Sequence, residues 1–257
     1  TYASGEFVQF LDADDTLRED ACEALYQKAR ETGADLIQFR HLFVRDDDSG
    51  LPMPSGKPPQ EDLLFDLRDD AIRRQFLTGS HCTLGCTNKF YRMELLRKTG
   101  NHFPEHRIYE EPLFVYPLFL YADTILTIGE EYYHYFWHAG SIMTSKLGKR
   151  LLDHPCVQLE LLEDLMARKE LFERYRREIE VQFLFSFFCE TIWFAKKNAG
   201  VLPIDFFHQM QQICRSVFPD WASNRTLCGM EAAGKVLPML SMEIETEEEL
   251  NRRIAEL

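Results

Sequence analysis

Positive charge is scarce in this sequence: 29 lysines and arginines stand against 42 aspartates and glutamates, a formal net charge of −13. That balance excludes a protein that wraps nucleic acid, because gripping a phosphate backbone requires a concentrated basic surface. A diphosphate ligand stays open, since a bound cation can bring the missing positive charge. Paired cysteine is absent as well. The seven cysteines are an odd number with no CxxC spacing among them, so neither a disulfide framework nor a zinc knuckle is indicated, and a reducing cytoplasm is the expected setting. Long apolar runs are missing too. The most apolar stretch, 183–195, is broken by Glu190 and falls short of the ~20 residues that span a bilayer, so it is read as a buried helix. There is no signal-peptide pattern and no internal repeat.

What is present is the composition of a globular protein: 257 residues, 45% hydrophobic and 28% charged. Glu6 to Leu11 is a run of β-branched and aromatic residues ending in carboxylates, which predicts a buried strand feeding a loop. Thr16 and Glu19 have the capping-box spacing, and Leu17, Ala21, Leu25 and Ala29 recur every four residues, so a helix is expected from Thr16 to Gly33. A strand over 35–40, a second around Leu42 to Val44 and a loop over 46–61 follow. Residues 62–78 are read as a helix, 87–97 as a strand or turn leading into a short helix, and Pro112 to Ala122 as a helix kinked or shortened by Pro117. Two strands, 125–128 and 132–137, should be joined by a turn at Gly129. From about residue 147 the pattern is helical: 149–170, 173–198, 203–217, 225–241, and a last helix capped by Thr246 with Glu249. The expected division is thus an α/β domain over 1–146 and an α-helical region over 147–257.

The segment Asp12-Ala13-Asp14-Asp15 carries the most chemistry. In an extended chain, residues two apart project to one side, so Asp12 and Asp14 could aim two carboxylates at one point. Oxygen ligands of that kind suit a hard divalent cation, Mn²⁺ or Mg²⁺, that keeps waters and also takes substrate phosphates. The plainer reading is a solvated acidic turn in which Asp15 or Thr16 caps a helix. The box also satisfies the Asp-x-Asp-x-Thr-Leu pattern of haloacid-dehalogenase-like phosphohydrolases, which would make Asp12 a nucleophile and Asp14 a general acid/base. That family's later Ser/Thr, Lys and second acidic pair are not found: Asp123 follows a predicted helix, and Gly129-Glu130-Glu131 is no Gly-Asp box.

A second resemblance reaches further. Gly5-Glu6-Phe7, Asp12 to Asp15, Ala34-Asp35-Leu36-Ile37, Asn88-Lys89-Phe90-Tyr91-Arg92 and Phe103-Pro104-Glu105 leading to Tyr109-Glu110-Glu111 occur in order, followed by Tyr133-His134-Tyr135, His138 and Ser141-Ile142. This ordered set resembles glycosyltransferase family 2 over about residues 3–145. The resemblance implies a partial GT-A fold, Rossmann-like, read from its Asp-x-Asp box onward, with the nucleotide-base pocket carried by strands that precede this sequence. It implies a metal-dependent, inverting transfer from a nucleotide sugar, a UDP-sugar foremost, to a glycan or lipid-linked acceptor, in cell-envelope polysaccharide assembly at the cytoplasmic face of the membrane. Asp14 would hold the metal, Asp12 the metal or ribose, and Asp15 would orient them. Glu111 stands where the family's general base is an Asp, with Glu110 as the alternative. Glu for Asp, and Pro112 after it, depart from the pattern. His138 would approach the diphosphate or the metal, while Lys89, Arg107 and Lys146 are candidates for phosphate or acceptor. The sequence by itself is expected to bind donor poorly. The Phe- and Trp-rich helical half is read as packing core, with peripheral membrane association as a second expectation. A catalytically silent binding module is the third class of function retained.

Overall fold

The computed structural model describes residues 3–45, 61–79, 81–139, 151–197 and 202–257. The expected loop over 46–61, the Ser141-Ile142 segment, Lys146 and the boundary near 147 lie wholly or largely outside the described residues. The chain forms two compact units, Thr1–Phe103 with Glu111–Ser145, and Pro104–Glu110 with Lys146–Leu257.

The first unit is α/β. Its strands are β1 (Phe7–Gln9), β2 (Thr16–Leu17), β3 (Leu36–Arg45), β4 (Leu63–Asp66), β5 (Lys89–Arg92) and β6 (Thr124–Trp137). They form one sheet in the order β1-β5-β3-β6-β2, with β4 also on β6. The two longest, β3 and β6, run parallel, with Ile37 opposite Leu126 and Phe43 opposite Tyr135. The other pairs are antiparallel. Four helices accompany the sheet: α1 (Ala21–Thr32), α2 (Asp70–Thr78), α3 (Met93–Thr99) and α4 (Glu111–Tyr121).

The four-residue recurrence in α1 has the expected consequence. Ala21, Leu25 and Ala29 are its buried residues, and they pack on Ile37, Phe39, Leu126 and Ile128. Alanines above and below the leucine let the helix approach the sheet closely. Gly33 ends α1 with a left-handed φ of 72°, its N–H bonded to the Ala29 carbonyl, a conformation that glycine adopts without Cβ strain.

The start of α1 corrects the sequence reading. Thr16 and Leu17 do not open a helix but form β2, opposite His134 and Tyr133, and α1 begins at Ala21. The backbone of this segment is satisfied by the β6 ladder, continued by Arg18 N–H to the Tyr132 carbonyl, so no helical cap is required there. Residues 62–78 are likewise not one helix. Leu63, Leu64 and Phe65 pair with β6, and α2 starts after Asp69, whose carboxylate accepts from Ala71 and Ile72 N–H. Gly129 makes no turn: β6 runs on through it. The register against β3 slips between Gln38 and His41, so the extra residues are taken up as a bulge while parallel pairing resumes beyond. The same pairing makes β3 one strand instead of two.

Helix α4 is buried from Phe114 to Leu120 and contains Pro117 without ending there. Its last carbonyls meet a buried cation. Arg73, 7% exposed, donates to the carbonyls of Leu67, Phe119, Leu120 and Ala122. Arg73→Met keeps most of the volume but strips these carbonyls of their donor, and should lower the unfolding free energy by about 3 kcal/mol. Urea unfolding checks this against Arg74→Met, whose partly exposed pair with Asp70 should cost under about 1 kcal/mol.

The second unit is helical: α5 (Asp153–Ala167), α6 (Lys169–Arg174), α7 (Arg176–Phe183), a π-helical stretch (Leu184–Glu190), α8 (Thr191–Lys197), α9 (Ile204–Val217), α10 (Arg225–Gly229), α11 (Glu231–Gly234) and α12 (Glu247–Glu256). The span expected as one helix over 225–241 is broken into short pieces, the last of them 3₁₀, Leu237–Ser241. Thr246 caps α12 by accepting from Glu249 N–H, 3.2 Å. Phe183, Phe187, Phe188 and Phe207 are buried here, so these aromatic residues are core. Within this unit Tyr109, with a left-handed φ of 62°, stacks on Phe194 and meets His154 edge-on. Arg107 donates to Glu160 at 2.9 Å, so its guanidinium is held by a carboxylate of its own unit. Among the described residues, no helix is long and apolar enough to cross a membrane.

Candidate functional site

The acidic box follows β1 and closes on itself. Asp15 N–H donates to the Asp12 carbonyl at 3.2 Å, so Asp12 to Asp15 form a tight turn. This corrects the premise of an extended segment with Asp12 and Asp14 projecting to one side. The turn nevertheless leaves Asp12 and Asp14 exposed and turns Asp15 inward, where it is 9% exposed.

Asp15 fastens the turn to β6. Its Oδ2 accepts from the Tyr133 hydroxyl at 2.6 Å and its Oδ1 from Phe136 N–H at 2.9 Å. The same Tyr133 hydroxyl accepts from Asp12 N–H at 3.2 Å. Burial, and then the bond to Asp15, push the Tyr133 phenol well above its ordinary range, so it stays a donor. Asp15 is therefore engaged on both oxygens by the protein itself.

Asp14 meets His138 just beyond the C-terminal end of β6, with His138 Nε2 3.6 Å from Asp14 Oδ2. His138 Nδ1 lies 3.0 Å from the Ala139 carbonyl. When Nδ1 donates there, Nε2 is the ring's acceptor nitrogen. Glu111 comes from another direction, as the first residue of α4, and its Oε1 accepts from Cys86 N–H at 2.6 Å.

The charges of these carboxylates act on one phenol. The Tyr135 hydroxyl is raised above its usual range first by burial and then by the charges of Asp15, Asp12, Asp14 and Glu111. Cys86 is shifted upward by burial and then by Glu111, with Asp12 adding to it. The structure thus places Asp12, Asp14 and Asp15 on one turn with His138 beside Asp14, while Glu111 is held by the Cys86 N–H. Glu110 belongs instead to the Pro104–Glu110 segment of the helical unit.

The lysine expected near phosphate has a different task. Lys89 is fully buried, and its Nζ donates to the Gly85 carbonyl, Thr83 Oγ1 and Asn88 Oδ1. Burial pulls it down to about 8. Lys89 stiffens the 83–88 loop whose Cys86 N–H holds Glu111. His41 of β3 lies 3.2 Å from Thr87 Oγ1 in the same loop, and burial lowers it to about 4, so it is neutral near pH 7.

Sequence reasoning gave no task to Tyr133, Tyr135, His41 or this loop. The signal for the tyrosines was their period-two spacing with Trp137 along one strand; the Cys86 N–H has no side-chain signature. For a cation, no three His, Cys, Asp or Glu among the described residues are grouped closely enough to hold one. Asp14 and His138 offer an oxygen and a nitrogen donor. Of the two, the carboxylate is the ligand type that a hard Mn²⁺ or Mg²⁺ takes, while the imidazole is a softer donor.

Residues 1–100 match the family model described as glycosyl transferase family 2. The cholesterol galactosyltransferase of Borreliella burgdorferi is 28% identical over 179 residues, which are 66% of this chain and 48% of that protein. Glycosyltransferase GlyG of Streptococcus pneumoniae serotype 4 is 26% identical over 149 residues, 56% of this chain and 48% of that protein. The chain thus spans about half the length of the curated relatives it matches. In structure it is similar to S. aureus TarS 1-349 in complex with UDP, with a TM-score of 0.62 and 19% identity, over 99% of this chain and 67% of that one. For S. aureus TarS 1-349 in a further crystal structure the TM-score is 0.56 at 17% identity. The fold is therefore that of an α/β, GT-A-type glycosyltransferase domain. Of the two families that share the acidic box, the one whose model matches this chain, over its first hundred residues, is glycosyl transferase family 2.

Proposed function

We propose that the protein moves a sugar from a nucleoside-diphosphate donor, a UDP-sugar, to a hydroxyl of a glycan or lipid-linked acceptor, with inversion at the anomeric carbon. The observation that carries this reading is the tight turn Asp12 to Asp15, pinned to β6 through Asp15 and carrying Asp14 to within 3.6 Å of His138. In this reading the turn supplies the phosphate site and Glu111 the proton acceptor. The UDP held by the structurally similar TarS, and the galactosyl transfer named for the Borreliella relative, support the donor class.

Asp14, with His138 beside it and Asp12 on the same turn, would hold Mn²⁺ or Mg²⁺ against the donor diphosphate. When bound, the cation neutralises charge developing on the leaving nucleoside diphosphate. The chain's own residues do the rest. Asp15 fixes the turn, so the exposed carboxylates need no reorganisation when the donor arrives. Glu111, anchored through Oε1 by Cys86 N–H, takes the acceptor's proton on its other oxygen as the hydroxyl attacks. A lipid-linked acceptor would place the reaction at the cytoplasmic face of the membrane.

UDP release from UDP-glucose, UDP-galactose and UDP-N-acetylglucosamine by the full-length protein tests this. Release should require Mn²⁺ or Mg²⁺, stop with EDTA and fall about a hundredfold in Asp14→Ala. Hydrolysis of p-nitrophenyl phosphate lost in Asp12→Asn would instead revive the phosphohydrolase. Neither activity would leave a silent binding module. Calorimetric titration of this 257-residue chain with UDP and Mn²⁺ should show weak binding or none.

A further inference from the structure

The loop that anchors Glu111 is itself held by a buried charge. Lys89 of β5 is 0% exposed, and its Nζ donates to the Gly85 carbonyl, to Thr83 Oγ1 at 3.1 Å and to Asn88 Oδ1 at 3.0 Å. Two of these acceptors share one spot with the anchored carboxylate oxygen. A methyl group added at Gly85 would lie 3.7 Å from Glu111 Oε1, 3.7 Å from Asn88 Oδ1 and 3.9 Å from Thr83 Oγ1. The rest of the loop is tied to the sheet by neutral groups. Gln38 Oε1 accepts from Thr83 N–H at 2.7 Å, the Tyr91 hydroxyl donates to the Cys86 carbonyl at 2.8 Å, and Gln9 Nε2 donates to the Thr87 carbonyl. An ammonium carries three N–H donors and a neutral amine only two. We infer that Lys89 is a positioning residue for Glu111, and that it does this only as the ammonium ion, its three donors matching the loop's three acceptors.

The inference rests on the transferase reading, in which Glu111 takes the acceptor's proton. Loss of the charge leaves one acceptor without a donor in a fully buried place, which costs more than an ordinary hydrogen bond contributes. The loop relieves that cost by moving, and the Cys86 N–H moves with it. Burial sets where this happens: it pulls Lys89 down to about 8, against the charges of Cys82, Glu111 and Cys86, which favour the ammonium. The ammonium is therefore present below that pH and lost as the pH rises through it. The titratable groups that face Lys89 are Glu111 on α4, Cys82 and Cys86 in the loop, Tyr91 on β5 and His41 on β3. Burial drives Cys86 and Tyr91 upward and holds His41 down at about 4, so none of these three titrates where Lys89 does. An alkaline response then falls to Lys89 or to Cys82, and substitution separates the two.

Two readouts on the full-length protein test this. In the first, ¹⁵N-cysteine labelling follows the Cys86 amide proton, assigned from its absence in Cys86→Ala. The bond to a carboxylate holds that proton downfield. It should move upfield with a midpoint near pH 8, and in Lys89→Met it should sit upfield at every pH tested. In the second, kcat for UDP release from UDP-glucose, UDP-galactose and UDP-N-acetylglucosamine is followed against pH with Mg²⁺. It should decline as the pH rises through about 8. Lys89→Met should lower kcat by about tenfold to a hundredfold, leave the donor KM within about twofold and abolish the alkaline decline. Thr83→Val removes one acceptor and keeps the volume, so the two donors of a neutral amine suffice. Its kcat should drop only about threefold and then stay level on the alkaline side, and it serves if Lys89→Met fails to fold. Cys82→Ser should keep the decline. An unmoved Cys86 signal in Lys89→Met, a decline that survives Lys89→Met, or one that vanishes in Cys82→Ser would overturn the inference. A Cys86 signal that follows Lys89 in a protein without UDP release would leave the positioning intact and sink the transferase reading instead, so the two failures are distinguishable.

Discussion

Asp15→Ala is expected to cut sugar transfer by about a hundredfold or more, although Asp15 has no oxygen left over for a substrate. Its Oδ2 and Oδ1 are taken by the Tyr133 hydroxyl and Phe136 N–H. Alanine leaves both donors unsatisfied in a buried place, at a cost of about 2–4 kcal/mol. It also releases the turn that carries Asp12 and Asp14, so the diphosphate site loses its preorganised geometry. Asp15→Asn keeps a carbonyl oxygen and should retain part of both stability and rate. Tyr133→Phe removes one of the same bonds, so the Asp15→Ala, Tyr133→Phe double variant should cost less than the two single losses added together. The readouts are kcat/KM for UDP release and the thermal midpoint. An Asp15→Ala protein with normal turnover and normal stability would show that the turn is held by something else.

What could be read from the sequence was what neighbouring residues decide. The buried stripe Ala21, Leu25, Ala29 and the glycine stop of α1 are encoded within one helix, and both are present. The capping pattern at Thr16 and Glu19 is just as local, yet it lost to pairing with His134, 118 residues away. Strand extension across Gly129 has the same origin, since only the parallel partner β3 keeps both halves of β6 in one ladder. The site divides along that line too. Asp14 and His138 could be picked out as ligand types at motif positions, and they do meet. The inward turn of Asp15, the Tyr135 phenol and the Cys86 N–H depend on register and on backbone direction, which composition and spacing do not carry. The pairing of Asp12 with Asp14 itself rested on an extended geometry that the structure replaces by a tight turn.

Glu111→Gln separates the base from everything that surrounds it. The amide oxygen of Gln can still accept from Cys86 N–H, so the side chain should stay where Glu111 is held, and stability should change by less than about 1 kcal/mol. An amide does not take the acceptor's proton, so kcat should fall by about 10²–10⁴-fold while the KM for donor stays near its original value. Glu111→Asp is the sharper comparison. With one methylene fewer, the carboxylate can keep the Cys86 anchor or reach the acceptor hydroxyl, but not both, and an intermediate rate is expected. Glu110→Gln should leave the rate close to that of the unaltered protein, because it is Glu111 whose carboxylate is anchored by the Cys86 N–H. If Glu110→Gln abolishes turnover and Glu111→Gln does not, the proton goes to Glu110, and the Cys86 anchor on Glu111 is only a helix-start contact.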